Sequence, residues 1–278
     1  KAMAWNIIRR LFWYARQCRF QKLGIVILIV SITFITLLPY QKITAQYIWE
    51  TTHNDRLALL INPLDTDFRL SIADYYFSGQ DYNLEKAKKL YHEVIRQNPR
   101  LHFPHYQLGR IYFIQGNFAL AIQSTRTAIE LSPDFKQAYY MYGLISGFSG
   151  NTSEALYGFK EFIKRDDFNW AGYNDLAWVY FQAGDFQNAL TTSEAGLSRA
   201  AGNPWLLNMR GLALINLGQY VQARTSLLEA QQKSSQLTPE DWGKAYPGNN
   251  PLIYAAGLRK MQEAIDYNLS LTHSVTLP

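Results

Sequence analysis

The chain has 278 residues, 48% of them apolar and 15% aromatic, so it can bury a large core and is not a disordered polymer. Five His and one Cys argue against a multi-ligand metal centre and leave no partner for an internal disulfide. The net charge of +5 is not spread over a face: residues 1–22 hold six basic side chains and no acid, while the other 256 residues carry 21 basic and 22 acidic ones. A near-neutral body excludes a nucleic-acid groove.

Residues 1–22 form a basic juxtamembrane segment with Lys1, Arg9, Arg10, Arg16, Arg19 and Lys22. Its stretch AWNIIRRLFWYAR has the pattern of an interfacial helix, with Trp5, Ile8 and Phe12 towards lipid and the arginines towards phosphate. Directly after it, Leu23 to Leu38 run for sixteen residues without a charge. At 1.5 Å per residue such a run spans roughly 24 Å, and counting on to Tyr40, with Lys22 snorkelling, approaches the roughly 30 Å of a bilayer core. We expect one N-terminal transmembrane helix over residues 23–40, in contact with the lipid bilayer. The basic flank places the N-terminus in the cytoplasm and everything beyond the span outside it, in a periplasm or another extracytoplasmic space. No small-residue cleavage site follows Leu38, which favours a retained anchor over a secretory signal.

Residues 41–67 are expected as a helix linking the span to the body. Beyond them the chain repeats. Gly109, Gly143, Ala177 and Gly211 lie 34 residues apart, as do Gly116, Gly150, Gly184 and Gly218, and as do Ala121, Ala155, Ala189 and Ala223. Three independent positions holding one period across four copies predict a helix–turn–helix solenoid. The first small residue lets two helices approach closely. The second is a turn glycine that takes a positive φ at no steric cost, and the alanine sits where the second helix crosses the first. Units are expected at 102–135, 136–169, 170–203 and 204–237. A degenerate unit fits 68–101, where Gly79 and Ala87 are eight residues apart instead of five. The stretch 238–250, QLTPEDWGKAYPGNNP in context, is rich in turn formers and reads as a loop. Residues 251–278 read as a capping helix and tail.

The residues Leu108, Gly109, Tyr112, Gly116, Ala121, Ala128 and Pro133 match the pattern of the tetratricopeptide-repeat family, which the chain closely resembles. The following unit departs from it at Ser146 and Asp167, and Pro204 is displaced. The resemblance implies an all-α, right-handed superhelix of about five repeats with a capping helix, binding a protein partner in a concave groove lined by the first helix of each unit. Carried over by register, the groove positions are Phe103, Tyr106, Arg110 and Phe113, then Tyr140 and Leu144, then Asn174, Trp178 and Phe181, and finally Trp205, Asn208 and Leu212. The family's carboxylate clamp is echoed only by Asn174 and Asn208, without its basic residues, so a chaperone C-terminus is not the expected ligand. What is left is an aromatic groove suited to an apolar partner segment. The same rings are also what a repeat packs inside itself, and the sequence leaves both readings open.

No catalytic motif is present: no G-x-S-x-G, phosphate loop, H-E-x-x-H or Cys-x-x-Cys. His102 and His105, three apart but separated by Pro104, fit a surface pair better than a metal site. Asp166 and Asp167 suit a helix boundary. Asn151 and Asn268 head N-x-S/T acceptor sequences that matter only in a eukaryotic secretory setting. The expectation is a non-enzymatic, cofactor-free, membrane-anchored scaffold whose partners are membrane or envelope proteins. Two alternatives stand beside it: a constitutive subunit of a large membrane enzyme complex, and the repeat-bearing end of a membrane polysaccharide ligase.

Overall fold

The computed structural model describes residues 37, 39–79, 81–245 and 251–272. The basic segment and most of the expected span, with Lys22, Leu23 and Leu38, lie outside these residues. Among the described residues no helix is long and apolar enough to cross a membrane. All regular structure in them is helical: α1 over residues 39–52, α2 (Asp55–Ile61), α3 (Thr66–Ser78), α4 (Leu84–Gln97), α5 (His102–Ile114), α6 (Phe118–Leu131), α7 (Lys136–Phe148), α8 (Thr152–Arg165), α9 (Trp170–Gln182), α10 (Phe186–Leu197), α11 (Pro204–Asn216), α12 (Tyr220–Ser234), α13 (Pro239–Ala245) and α14 (Tyr254–Leu271), with one 3-10 turn at Pro251–Ile253. The chain divides into two compact units, Lys1–Arg69 and Leu70–Pro278.

In the first unit α1 stops at His53, whose φ of 50° breaks the helix. Asn54 restarts it by accepting from the Leu57 N–H at 3.0 Å, an N-cap that satisfies an otherwise orphan donor. Asp65 caps α3 in the same way through the Phe68 N–H at 2.9 Å, and Lys42 approaches it to 3.5 Å. Partial burial pushes the Asp65 carboxyl up, but the Phe68 N–H, Asn62 and Lys42 together hold it below its ordinary value. The region 41–67 thus contains most of α1, all of α2 and the first two residues of α3.

The second unit contains the repeats. From α4 to α12 each helix packs on the next, and α5, α7, α9 and α11 also touch in succession. This makes two layers, with α5, α7, α9 and α11 forming the inner one. The four periodic glycines hold the turns between paired helices at φ +74°, +81°, +77° and +75°, and nothing lies within 4 Å of where a Cβ would stand. They are there for backbone conformation alone. The small residues at the crossings are there for space. A Cβ on Gly143 would stand 2.9 Å from the Phe159 ring, and one on Gly158 only 2.5 Å from the Gly143 nitrogen. The backbones of α7 and α8 therefore touch, and the ring of Phe159 fills the angle between them, fully buried. Ala121, Ala155, Ala189 and Ala223 are each 0% exposed, as their shared register requires.

The stretch expected as a loop after the fifth unit contains α13. A reciprocal cap starts it: Asp241 accepts from the Thr238 N–H at 3.1 Å, and the Asp241 N–H donates to the Thr238 hydroxyl at 3.2 Å. The helix then packs on α14 by exchanging glycines for rings, since a Cβ on Gly243 would meet Tyr254 at 2.2 Å and one on Gly257 would meet Trp242 at 2.3 Å.

Candidate concave groove

The inner helices carry few charges and many rings. Lys136 on α7 is paired at 2.9 Å with Asp166, the residue that ends α8. Arg110 on α5 is stacked 4.4 Å above the Phe77 ring and 5.6 Å from that of Tyr106, and its Nη1 donates to Gln107 at 2.8 Å. Gln107 continues this chain by donating to Asp74 at 2.9 Å, and the Tyr91 hydroxyl donates to the same carboxylate. Burial, reinforced by Asp74, pushes the Tyr91 phenol far up, so it stays a donor. The network locks Arg110 in one orientation.

Tyr140 on α7 is held differently. Its hydroxyl donates at 2.6 Å to Asp175 on α9, which also accepts from Asn174 at 2.9 Å. Burial pushes the Asp175 carboxyl up, opposed by these two hydrogen bonds. The Tyr140 ring lies 5.1 Å from Phe162 and 5.7 Å from Phe159.

Of these side chains Tyr106, Arg110, Lys136, Tyr140, Phe162 and Asp166 line a cavity of about 530 Å³. Five of the residues transferred by register meet there: Tyr106, Arg110 and Phe113 from α5, and Tyr140 and Leu144 from α7. Sequence reasoning missed Trp170 at the start of α9, which also lines the cavity and stacks on Trp205 with centroids 4.9 Å apart. It also missed Lys136, Asp166 and, from outside the repeats, Lys244 and Ala245 of α13. Lys136 and Trp170 stand 34 apart in the first position of their helices, so the period contained that signal. For α13 no local signal existed, because a short helix after the last repeat has no register with the others.

The other transferred residues are outside this cavity. Trp178 lies over Gly147, where a Cβ would stand 2.6 Å from its ring, and 5.2 Å from Phe148. Phe148 in turn lies 5.4 Å from Phe113, giving a run of rings along the C-terminal ends of α5, α7 and α9. Phe181 pairs with Phe186 at 5.4 Å, and Phe103 lies 6.2 Å from Tyr106. Asn208 accepts a 2.9 Å hydrogen bond from Asn268 of the capping helix. Leu212 is half-buried on α11. All twelve transferred positions are half-buried, none fully buried and none fully exposed. Tyr106, Phe113, Tyr140, Leu144, Trp178 and Phe181 also rest against fully buried core residues, so the rings serve packing and surface at once. Of the anchor residues only Tyr40 is described; it is on α1 and 74% exposed.

Paired antiparallel helices at a fixed 34-residue period, with rings along the inner layer, define a helical-repeat protein. Family models for the tetratricopeptide repeat match residues 102–135 and 175–241, and the chain belongs to that family. Among known proteins it is similar to the BBSome complex member BBS4 of Bos taurus, 25% identical over 189 residues, which is 66% of this chain and 35% of the relative. This chain thus matches only about a third of that protein's length. Two solved structures share the fold. MamA from Desulfovibrio magneticus RS-1 has a TM-score of 0.57 at 14% identity, covering 62% of this chain and 97% of that one. YrrB, described as a TPR protein with an unusual peptide-binding site, has a TM-score of 0.54 at 15% identity, covering 64% of this chain and 91% of that one.

Proposed function

We propose that this protein is a non-catalytic, membrane-anchored scaffold that grips an apolar segment of a partner protein in the concave face of its repeats. The observation that carries this is the cavity of about 530 Å³, in which Tyr106, Phe113, Tyr140 and Trp170 converge from three successive units. Ring-lined concavities of this size bury most of a bound segment while freezing few rotors, which is how binding hot spots are built. The peptide-binding site named for YrrB, on the same fold, supports placing the contact on a repeat surface. The uncharged run Leu23–Leu38 behind six basic residues supports the anchor and an extracytoplasmic repeat domain. Tethering raises the effective concentration of the groove near membrane and envelope partners. The test is a comparison of stoichiometric partners co-purified in mild detergent by the wild type and by Trp170→Ala with Phe113→Ala, checked for native helical signal. Loss of one defined partner supports the reading, and an unchanged partner set overturns it.

A further inference from the structure

The first unit turns its small residues inward and its large apolar ones outward. On α1 Ala45 is fully buried, while Leu37 before it and Tyr40, Ile43 and Tyr47 along it are all more than half exposed. The spacing of three and four puts that set on one face of a helix. On α2 Ala58 is fully buried and Asn62, just past its end, is nearly so, while Leu57 and Leu60 stand out and Leu64 follows them at 76% exposed. α4 shows the ordinary arrangement, with Leu90, Tyr91 and Val94 buried and Glu85, Lys89 and Arg96 outside. Seven of the seventeen large apolar side chains exposed among the described residues fall in residues 37–64, so this is a concentrated surface and not the usual scatter.

We propose that α1 and α2 lie along the bilayer surface, with Tyr40, Ile43 and Tyr47 and then Leu57, Leu60 and Leu64 set among phospholipid headgroups and upper acyl chains. This inference rests on the anchor reading above and adds to it a second lipid contact, made after the span. Where the chain comes from decides the occupant. The uncharged run ends at Leu38, and Pro39 at the head of α1 has no N–H to carry a helical bond across that point, so the chain can change direction there. Lys42, near the start of α1, meets Asp65 beyond α2 at 3.5 Å. That ion pair returns the far end of α2 to the beginning of α1, close to where the run ends.

Length decides the orientation. From Tyr40 to Tyr47 a helix rises about 10 Å, whereas the headgroup layer on each side of the hydrocarbon core is only about 5–8 Å deep. Standing upright, α1 would carry Tyr47 out into water. Lying along the surface, it keeps the whole stripe at one depth, where tyrosine is favoured. Residues 37–64 carry Lys42 and Arg56 against Glu50 and Asp55, so the contact is apolar and needs no anionic lipid. Each leucine moved out of water favours it by roughly tenfold or more. A second copy is a poorer occupant: α1 covers residues 39–52, about two heptads, while a coiled coil is sustained over about three or four.

The test is depth-dependent quenching of the full chain in phosphatidylcholine vesicles whose acyl chains are brominated either near the glycerol or near the methyl end. In a Cys18→Ser background, a single fluorophore-labelled cysteine replaces Tyr47, Leu60, Gln46 or Val30. Tyr47, Leu60 and Gln46 are exposed, so these changes disturb no core. Probes at Tyr47→Cys and Leu60→Cys are expected to shift to the blue on reconstitution and to lose most of their emission to the shallow bromines and little to the deep ones. Added phosphatidylglycerol should change neither result. The probe at Gln46→Cys, on α1 beside the stripe, should keep its emission. Deep quenching at Val30→Cys with none at Tyr47 or Leu60 would overturn this inference and leave the anchor standing. Shallow quenching at Tyr47 and Leu60 with none at Val30 would support the surface contact and overturn the anchor. No quenching at any of the three would overturn both. A blue shift without quenching would mean that protein, a second copy included, covers the stripe, and equal quenching at Gln46 would mean that no face is preferred; either result overturns the inference.

Discussion

The hydroxyl of Tyr140 donates to the carboxylate of Asp175 at 2.6 Å across one full repeat, tying α7 to α9 on the concave side. It joins adjacent units at the edge of the cavity, and it does so with a group whose burial favours the neutral form. Tyr140→Phe removes the donor and leaves a desolvated carboxylate with Asn174 alone. We expect a loss of about 1.5–3 kcal/mol in urea unfolding followed by circular dichroism. An unchanged midpoint would show that the bond contributes nothing net.

The same carboxylate sets a pH dependence. Its folded-state value is raised above the ordinary carboxylate range, so the native state binds more protons than the unfolded chain in the window between the two values. Its contribution is greatest at low pH and is lost as pH rises through that window. Asp175→Asn should therefore gain stability relative to wild type as pH rises above the ordinary carboxylate value of about 4. The difference in Tm between the two proteins, measured at several pH values, should grow with pH; a constant difference would contradict the assignment.

Two glycines of neighbouring repeats should respond to an added side chain for different reasons and by different amounts. At Gly116 a methyl meets nothing, so Gly116→Ala costs only the positive-φ strain, about 1–2 kcal/mol. At Gly143 a side chain runs into Phe159 and α8 itself, so Gly143→Leu should cost about 3 kcal/mol or more. The compensating change Phe159→Ala should recover part of the second loss and none of the first, which a double-mutant cycle would read.

Trp178 and Trp170 are both half-buried rings on α9, yet they are placed to do different work. Trp178 covers Gly147 and touches Phe148, outside the cavity lining, so Trp178→Ala should lower stability by about 2 kcal/mol. Trp170 lines the cavity, so Trp170→Ala should lower partner affinity about tenfold, as for a hot-spot ring, with little loss of helical signal. Equal binding defects from both would mean that the partner lies along the rings at the C-terminal ends of the helices.

Membrane attachment is tested by fractionation and fusion. Deleting residues 23–38 should move the protein from the membrane pellet to the supernatant. An alkaline phosphatase fused after Pro278 should be active, and a β-galactosidase fused at the same place inactive. The reverse pattern would put the repeats on the cytoplasmic side.

Much of this protein is legible along the chain because its determinants are local. A glycine at positive φ and a residue facing one neighbouring helix need only their near surroundings, so a 34-residue spacing of Gly116, Gly150, Gly184 and Gly218 carries the repeat with it. Transfer by register also found half-buried positions throughout, since register sets which way a helical residue faces. Register does not say what arrives from elsewhere in the chain. Asn208 has the right position for a ligand contact, but the capping helix brings Asn268 to it. Register assigns Trp178 to the groove, but Gly147 on the preceding unit leaves room for its ring to pack against the scaffold instead. Lys244 joins Arg110 around one cavity although a whole series of repeats separates them. Those meetings depend on how accumulated helix crossings return the chain to itself, a property of the packed array that no short segment encodes.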